Sequence, residues 1–441
     1  MSAAREILSM NRFDPGRIGG IDGAIAGKIR RRGEQFGAAS VLFYERPIEM
    51  VSASGVHLFD ADGRRYLDVY NNVPSVGHCH PKVVAAIAAQ AAALNIHTRY
   101  LTRPVEAYAE RLLATFPAPL TNLLMTCTGS ESNDLALRIA NSFTGARGIV
   151  VTEAAYHGNT AAVTEISPSS LLRRRPAAHV RTIPAPDIAA GGDVGARFAA
   201  ALKAAIADLE AQGLGFAGLV VDTIFSSDGI HADPPGFLRD AAGIVREAGG
   251  LFVADEVQPG FGRTGAGFWG FERHGLVPDI VTMGKPMGNG FPMGGVVTRP
   301  ELLDRFCAET GYFNTFGGNP VAAAAGLAVL DVIAEEGLID HAQVVGARLK
   351  EGLEALMPRH AAIGAVRGAG LFIGLDLIDA EDGSPDAALT SHVINAMKER
   401  GILIGAAGLH GNTLKIRPPL PFAEDHAALF TDTLDAILAE R

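Results

Sequence analysis

From about residue 120 to 300 the chain repeats one alternation: a short apolar run, a turn of small residues, then a stretch with helical spacing. LLMTCT runs into a Gly-Ser-Glu turn and the helical ESNDLALRIANSF. GIVVTE, GLVVDTIF, the helix-like GFLRDAAGIVREAG, LFVADEV, DIVTMG and GGVVT follow in turn. Within these runs the apolar residues do not alternate with polar ones, as expected of strands buried on both faces. Separated by helices, they predict an α/β fold built on a mainly parallel sheet. Ligands of such sheets bind beyond the carboxyl ends of the strands, so the residues just after each strand carry the most weight.

The flanks read differently. Before about residue 40 the pattern is weak: FDPGRIGGIDG reads as loop and RRRGEQFG as a polar end, an arm expected to lie on another surface. HLFDADGRRYLDVY predicts a hairpin about Asp62-Gly63. PKVVAAIAAQAAAL opens with Pro and continues in good helix formers, which predicts a helix from Pro81. After the Ala-rich helix NPVAAAAGLAVLDVIAEEG the composition suggests a smaller unit, with a strand pair around VRGAGLFIGLDL. The expected organisation is an arm and part of a small domain over 1–75, a large domain over 76–325 and a C-terminal small domain over 326–441.

Composition narrows the class. Of 441 residues 48% are hydrophobic and 20% charged, too apolar and too evenly charged for a disordered chain. A net charge of -10 argues against a dedicated nucleic-acid binder, and the Arg runs at 30–32 and 173–175 read as solvated surface. No apolar run approaches the roughly 18 residues of a membrane span. The three cysteines, Cys79, Cys127 and Cys307, are too few for a disulfide framework and read as buried or idle thiols. The expectation is a cytoplasmic globular protein.

The strand ends hold the chemistry. Asp255 ends the apolar run LFVAD, with Gln258 one turn on; alone, it would be an ordinary salt bridge or a metal ligand. Lys285 follows DIVTMG in a Gly-rich loop, where a solvated lysine is the plain reading. Gly129 and Ser130 stand at a helix start, where free N–H groups hold a phosphate. Tyr156 and His157, in AYHGNT, follow another strand and could simply be packing. Together these form a phosphate cradle, a stacking ring, an acid and a lysine nucleophile, the set that pyridoxal phosphate requires. His78 and His80 in VGHCHP have metal-like spacing, but no further ligand is evident, so they read as structural and no metal is expected.

With TGSESNDLALR, AYHGNT, ADEVQPGFGRTG, TMGKPMGNG and NTFGGNP in this order, the chain resembles the class III aminotransferases from about residue 40 to its end. That resemblance implies pyridoxal-phosphate fold type I: a large domain with a mainly parallel, seven-stranded-type sheet, and a smaller α+β domain built from both chain ends. It makes Lys285 the Schiff-base lysine and sets Asp255 against the pyridine nitrogen. It puts Gln258 near the ring hydroxyl, Tyr156 on the ring face with His157 beside it, and Gly129 and Ser130 at the phosphate. Thr315 would reach the phosphate of a neighbouring subunit, which implies a homodimer or a higher homo-oligomer. The segment NNVPSVGH would lie along the substrate pocket.

Two departures bear on the substrate. Family members acting on amino acids carry Arg three residues before the Pro-Pro pair; TLKIRPPL has Lys415 there, with Arg417 beside the prolines. Where they carry Glu in a segment like EPIQGEGG, DTIFSSDG has Ser227, with Asp228 adjacent. A lysine is a point charge that cannot fork onto a carboxylate. YNNVPSVGHCHPKVV, EISP, YFNTFGGNP and RGAGLFIGLDL resemble the phospho-lyase branch that acts on ethanolamine phosphate or phosphohydroxylysine. A phosphate monoester suits several cations without an acid, and Arg99, Lys415 and Arg417 are the candidates. Structural ion pairs are the alternative for Arg99 and Arg417. The favoured reaction is elimination of phosphate from a small amine phosphate. An ω-amine transaminase shares every catalytic residue, and an intact Lys285 and Asp255 argue against a scaffold that has lost catalysis.

Overall fold

In the computed structural model, residues 10–171 and 175–440 are described; Arg173 and Arg174 of the second arginine run lie outside them. The Asp62-Gly63 turn joins two strands as the pattern predicts. β1 (Met50–Ser54), β2 (His57–Asp60) and β3 (Arg65–Asp68) form an antiparallel meander.

The repeated alternation becomes the central sheet: β4 (Asn122–Thr126), β5 (Gly148–Thr152), β6 (Val180–Ile183), β7 (Phe216–Asp222), β8 (Leu251–Asp255), β9 (Ile280–Met283) and β10 (Gly294–Thr298). Their spatial order is β4-β10-β9-β8-β7-β5-β6. Neighbours from β9 to β6 are parallel, and only β10 runs antiparallel, to both β9 and β4. Every residue of β5, β8, β9 and β10 is buried, which explains why their sequences do not alternate.

The remaining strands are β11 (Ile363–Ala369), β12 (Phe372–Leu377), β13 (Ile402–Leu403), β14 (Gly405–Ala407) and β15 (Thr413–Ile416). Four of them make an antiparallel sheet in the order β11-β12-β15-β14. β13 instead adds in parallel to β3, through Ile402↔Leu67, so both ends of the chain share one sheet. Residue 325 lies inside the helix Pro320–Glu335, which packs on the helices Pro81–Ala93 and Arg103–Leu113.

Two expectations need correcting. RRRGEQFG, read only as a polar end, belongs to the second half of a regular helix, Gly23–Phe36. Asp22 caps it, accepting from the Ala24 N–H at 3.0 Å, and Gly37 ends it at φ +59°. Local capping thus forms a helix whose only buried residue is Ala26. Of the two readings of the cysteines, burial is not realised, since Cys79 and Cys307 are exposed and Cys127 is half-buried; all three are free thiols. The arm does rest on another surface. Met10, Phe13 and Tyr44 are buried, and the Tyr44 hydroxyl donates to the Ile404 carbonyl.

Candidate active site

The parallel register sets the first feature. β7 and β8 pair with Asp222 opposite Asp255, so two carboxylates emerge side by side at the carboxyl edge of the sheet. Asp255 is buried, and three donors fix its orientation: Asn133 Nδ2 at 3.0 Å, His157 Nδ1 at 2.6 Å and the Val257 N–H at 3.0 Å. The Nε2 of His157 is buried without a partner among the described residues. Glu256 serves the fold instead. It accepts from Thr223, Gly270 and Phe271, and burial pushes its pKa up to about 8.

Lys285 follows β9, one strand further along the sheet, and opens into the same cleft. Its ammonium lies deep among protein atoms even though the side chain borders the cleft. Burial first, then the Arg417 guanidinium, pushes its pKa down to about 8, against the pull of Asp255 and Asp222. A lysine so placed has an appreciable neutral fraction near neutral pH, as a nucleophile or proton acceptor needs.

The cradle is built by close approach. Gly129 and Ser130 begin the helix Gly129–Thr144, capped by Thr128, whose hydroxyl accepts from the Glu131 N–H at 3.1 Å. A Cβ on Gly129 would lie 2.8 Å from Val257, and one on Gly158 would lie 2.5 Å from Ser130 Oγ. Gly158 also takes φ +143°, a conformation closed to side chains. The Lys285 loop meets the cradle directly, since a Cβ on Gly284 would sit 3.0 Å from the Gly129 backbone. Tyr156 is half-buried and borders the cleft.

A second cleft adjoins the first, sharing Tyr156, Gln258 and Lys285, and it is walled by Lys415 and Arg417. Lys415 is 3% exposed. On β15 it pairs with Gly374 of β12 and Gly405 of β14, and a Cβ on Gly405 would lie 2.3 Å from the Tyr70 ring, on which Arg417 stacks at 4.5 Å. Burial, with Arg417 and Lys285 nearby, drives the Lys415 pKa well below the ordinary lysine value. Arg417 donates to Asn72 Oδ1 at 3.1 Å and to Gln258 Oε1 at 2.5 Å. Among the described residues neither cation pairs with a carboxylate within 4.0 Å.

Two candidates lie elsewhere. Arg99 is exposed and sits 4.0 Å over the Phe313 ring, and Thr315 is exposed; neither borders these clefts. Arg99 and Arg417 are not in ion pairs, so the structural alternative for them is not realised among the described residues. Asp228 accepts from Thr152 Oγ1 at 2.8 Å and from the Ala154 N–H at 3.0 Å, and it makes no ion pair with Lys415 within 4.0 Å. His78 bonds Asp68 at 2.7 Å, and His80 caps the helix Pro81–Ala93. From NNVPSVGH, Val73 borders the cleft and Asn72 holds Arg417. Sequence reasoning missed Asp222, Ser226 and Asn133. Asp222 had a signal, because GLVVD ends a strand just as LFVAD does.

The donor set fits pyridoxal phosphate. Gly129 and Ser130, at a helix start where side chains on Gly129 and Gly158 would not fit, border the cleft, Asp255 is a fixed acceptor on it, and Lys285 is a buried amine lining it too. Fold and site together define an α/β enzyme of the pyridoxal-phosphate class, with a lysine at a strand end bordering the cleft. Residues 43–438 match the family Aminotransferase class-III, and the chain belongs to it, a family of pyridoxal-phosphate enzymes. A relative from Drosophila melanogaster named alanine–glyoxylate aminotransferase 2-like is 39% identical over 94% of this chain and 88% of its own. Another, from Caenorhabditis elegans and named ethanolamine-phosphate phospho-lyase homolog 1, is 39% identical over 93% of this chain and 92% of its own. A solved phospholyase from Arthrobacter in complex with phosphoethanolamine is 45% identical, with a TM-score of 0.91 over 94% of this chain and 100% of its own.

Proposed function

We propose that this chain is a phospho-lyase that removes phosphate from a small amine phosphate such as ethanolamine phosphate. One observation carries the reading: Lys415 and Arg417 are buried cations without a carboxylate partner, in a cleft that also borders Lys285. Two such charges are costly unless an anion joins them, and a phosphate monoester brings close to two negative charges. The similarity to the Arthrobacter phospholyase supports it.

Bound here, pyridoxal phosphate supplies an electron-accepting ring to the carbon bearing the substrate amine. Gly129 and Ser130 would hold its phosphate, Asp255 would offer a fixed carboxylate to its ring nitrogen, and Tyr156 would pack against its ring. Lys285, with its pKa near 8, takes the proton from the amine-bearing carbon. The C–O bond on the neighbouring carbon breaks and phosphate leaves with the electron pair, steadied by Lys415 and Arg417. Water then converts the enamine product to aldehyde and ammonia.

The active unit in this reading is a homodimer. Tyr100, Leu101, Phe313 and Phe316 are exposed, Leu101 by 93%, and His97 lies 5.3 Å from Tyr100 and 5.8 Å from Phe313. This apolar patch carries Thr315 and Arg99, so a second copy there would bury both residues. The free cysteines support a reducing compartment, which we take to be the cytoplasm. Among the described residues no helix is long and apolar enough to cross a membrane.

The likeness to the aminotransferase from Drosophila melanogaster favours a second reading, amine transfer to a keto acid. The deciding experiment offers ethanolamine phosphate without any keto acid. Release of phosphate and ammonia in equal amounts is expected. Inert amine phosphates, with an ω-amino acid converting the cofactor to its amine form and pyruvate restoring it, would establish the transaminase instead.

A further inference from the structure

A buried chain of hydrogen bonds runs from the second cleft to the paired carboxylates. Arg417 Nη1 donates to Gln258 Oε1, Gln258 Nε2 donates to Ser226 Oγ, and Ser226 Oγ donates to Asp222 Oδ2. Ser226 is fully buried and Gln258 is 9% exposed. The direction of the chain is forced. A guanidinium has no acceptor, so the Gln258 oxygen must face Arg417 and its nitrogen must face Ser226. The serine hydrogen then has one acceptor, the Asp222 carboxylate. Against the segment EPIQGEGG, Ser226 stands where a glycine would leave nothing to bond.

We propose that Ser226 is a positioning residue that, with Asp222 behind it, holds the Gln258 nitrogen while Arg417 holds its oxygen, so that the remaining N–H is available to the cleft beside Lys285. Resting on the reading that pyridoxal phosphate binds there, this makes Gln258 an obligate donor toward the ring oxygen next to the lysine linkage. A donor to that oxygen withdraws electron density from it and so favours loss of the proton on the linkage nitrogen. The charged groups acting on Lys285 are Asp222 from β7, Asp255 from β8, and Arg417 and Lys415 from β15 and the residues after it. Ser226 is uncharged, but its hydrogen bond helps keep the buried Asp222 ionised; a shift of Asp222 toward its neutral form would lower the midpoint, the opposite of what a loosened Gln258 nitrogen does, so a fallen midpoint counts against the proposal.

The test is a pH titration of the visible band of the enzyme loaded with pyridoxal phosphate. In Ser226→Ala, Arg417 still holds the Gln258 oxygen but the amide nitrogen loses its partner, so its donation to the ring oxygen is no longer held in place and the midpoint should rise by roughly one unit, because a hydrogen bond and one unit of pKa are of similar size. Ser226→Thr, which keeps the hydroxyl, should titrate like the parent. Should the alanine variant fail to fold, Ser226→Cys, of nearly the same volume with a poor acceptor, takes its place. A purely structural serine would change the melting temperature and leave the midpoint alone. An unmoved midpoint in folded Ala or Cys variants overturns the proposal, as does a folded Thr variant that titrates like Ala. If the parent enzyme forms no visible band at all, the cofactor reading fails first and the proposal with it.

Discussion

Replacing Lys415 by Met should make the protein more stable and less active at once. Lys415 is 3% exposed, Arg417 repels its ammonium, and Asp222, Asp228 and the Phe372 ring 5.6 Å away offset the burial only in part, with no carboxylate within 4.0 Å among the described residues. Exchanging a buried ion for an apolar side chain of similar volume stabilises by about 1–4 kcal/mol. In a chain of this length that corresponds to a rise of only a few degrees in melting temperature. The pH dependence follows from the depressed pKa. Between that value and 10.5, the ordinary lysine value, the unfolded chain binds a proton that the folded chain does not. Wild-type stability therefore rises with pH through this window. The advantage of Lys415→Met should be full at low pH and fade as pH approaches 10.5. Phosphate release should move the opposite way. Loss of one charge-assisted contact costs about 1.5–3 kcal/mol, or roughly one to two decades in kcat/KM for ethanolamine phosphate. An uncharged amine of similar size should lose far less. Thermal melts from pH 6 to 10 and a phosphate-release assay test both arms. A lower melting temperature with unchanged phosphate release would refute the idea of a lone cation awaiting an anion.

Lys285→Ala should abolish turnover and the borohydride-trapped cofactor adduct; a trapped adduct mapping to another lysine would contradict the assignment. Because the Lys285 pKa is pushed down to about 8, capture of pyridoxal phosphate by the cofactor-free protein should accelerate up to that pH and then level off. An ordinary lysine would keep gaining toward 10.5, and such a profile in stopped-flow absorbance would count against the buried setting. Gly158→Ala places a Cβ 2.5 Å from Ser130 Oγ at a φ of +143°, so cofactor affinity should fall at least tenfold, about 1.4 kcal/mol; equal affinity by fluorescence titration would show that the cradle yields. Light scattering should report a dimer or larger, and Thr315→Ala should weaken cofactor binding; a fully active monomer would remove the shared-site reading.

Much of the site was legible because it is written locally. An apolar run followed by a turn places Asp255 and Lys285 at strand ends, and a Gly-Ser step after β4 places free N–H groups at a helix start, whatever the rest of the chain does. The helix at Gly23–Phe36 was missed although its signal is local too, an Asp cap before a polar stretch. The hydrophobic pattern there was too weak to outweigh the glycines.

What the sequence by itself determined is therefore the order of elements, the alternation that makes a parallel sheet, and the residue that each strand delivers to its end. Only the tertiary structure decided which of those residues meet. Asp222 stands beside Asp255 because β7 and β8 pair in one register. Gln258, Ser226 and Arg417 form one relay because β15 returns from the far end of the chain to the carboxyl edge of the central sheet. Periodicity reports which face of an element is apolar, but it carries no information about which distant element covers that face. That choice follows from how the whole core packs, and it turns Lys415 from one more charge in a strand into a buried cation bordering the same cleft as Lys285.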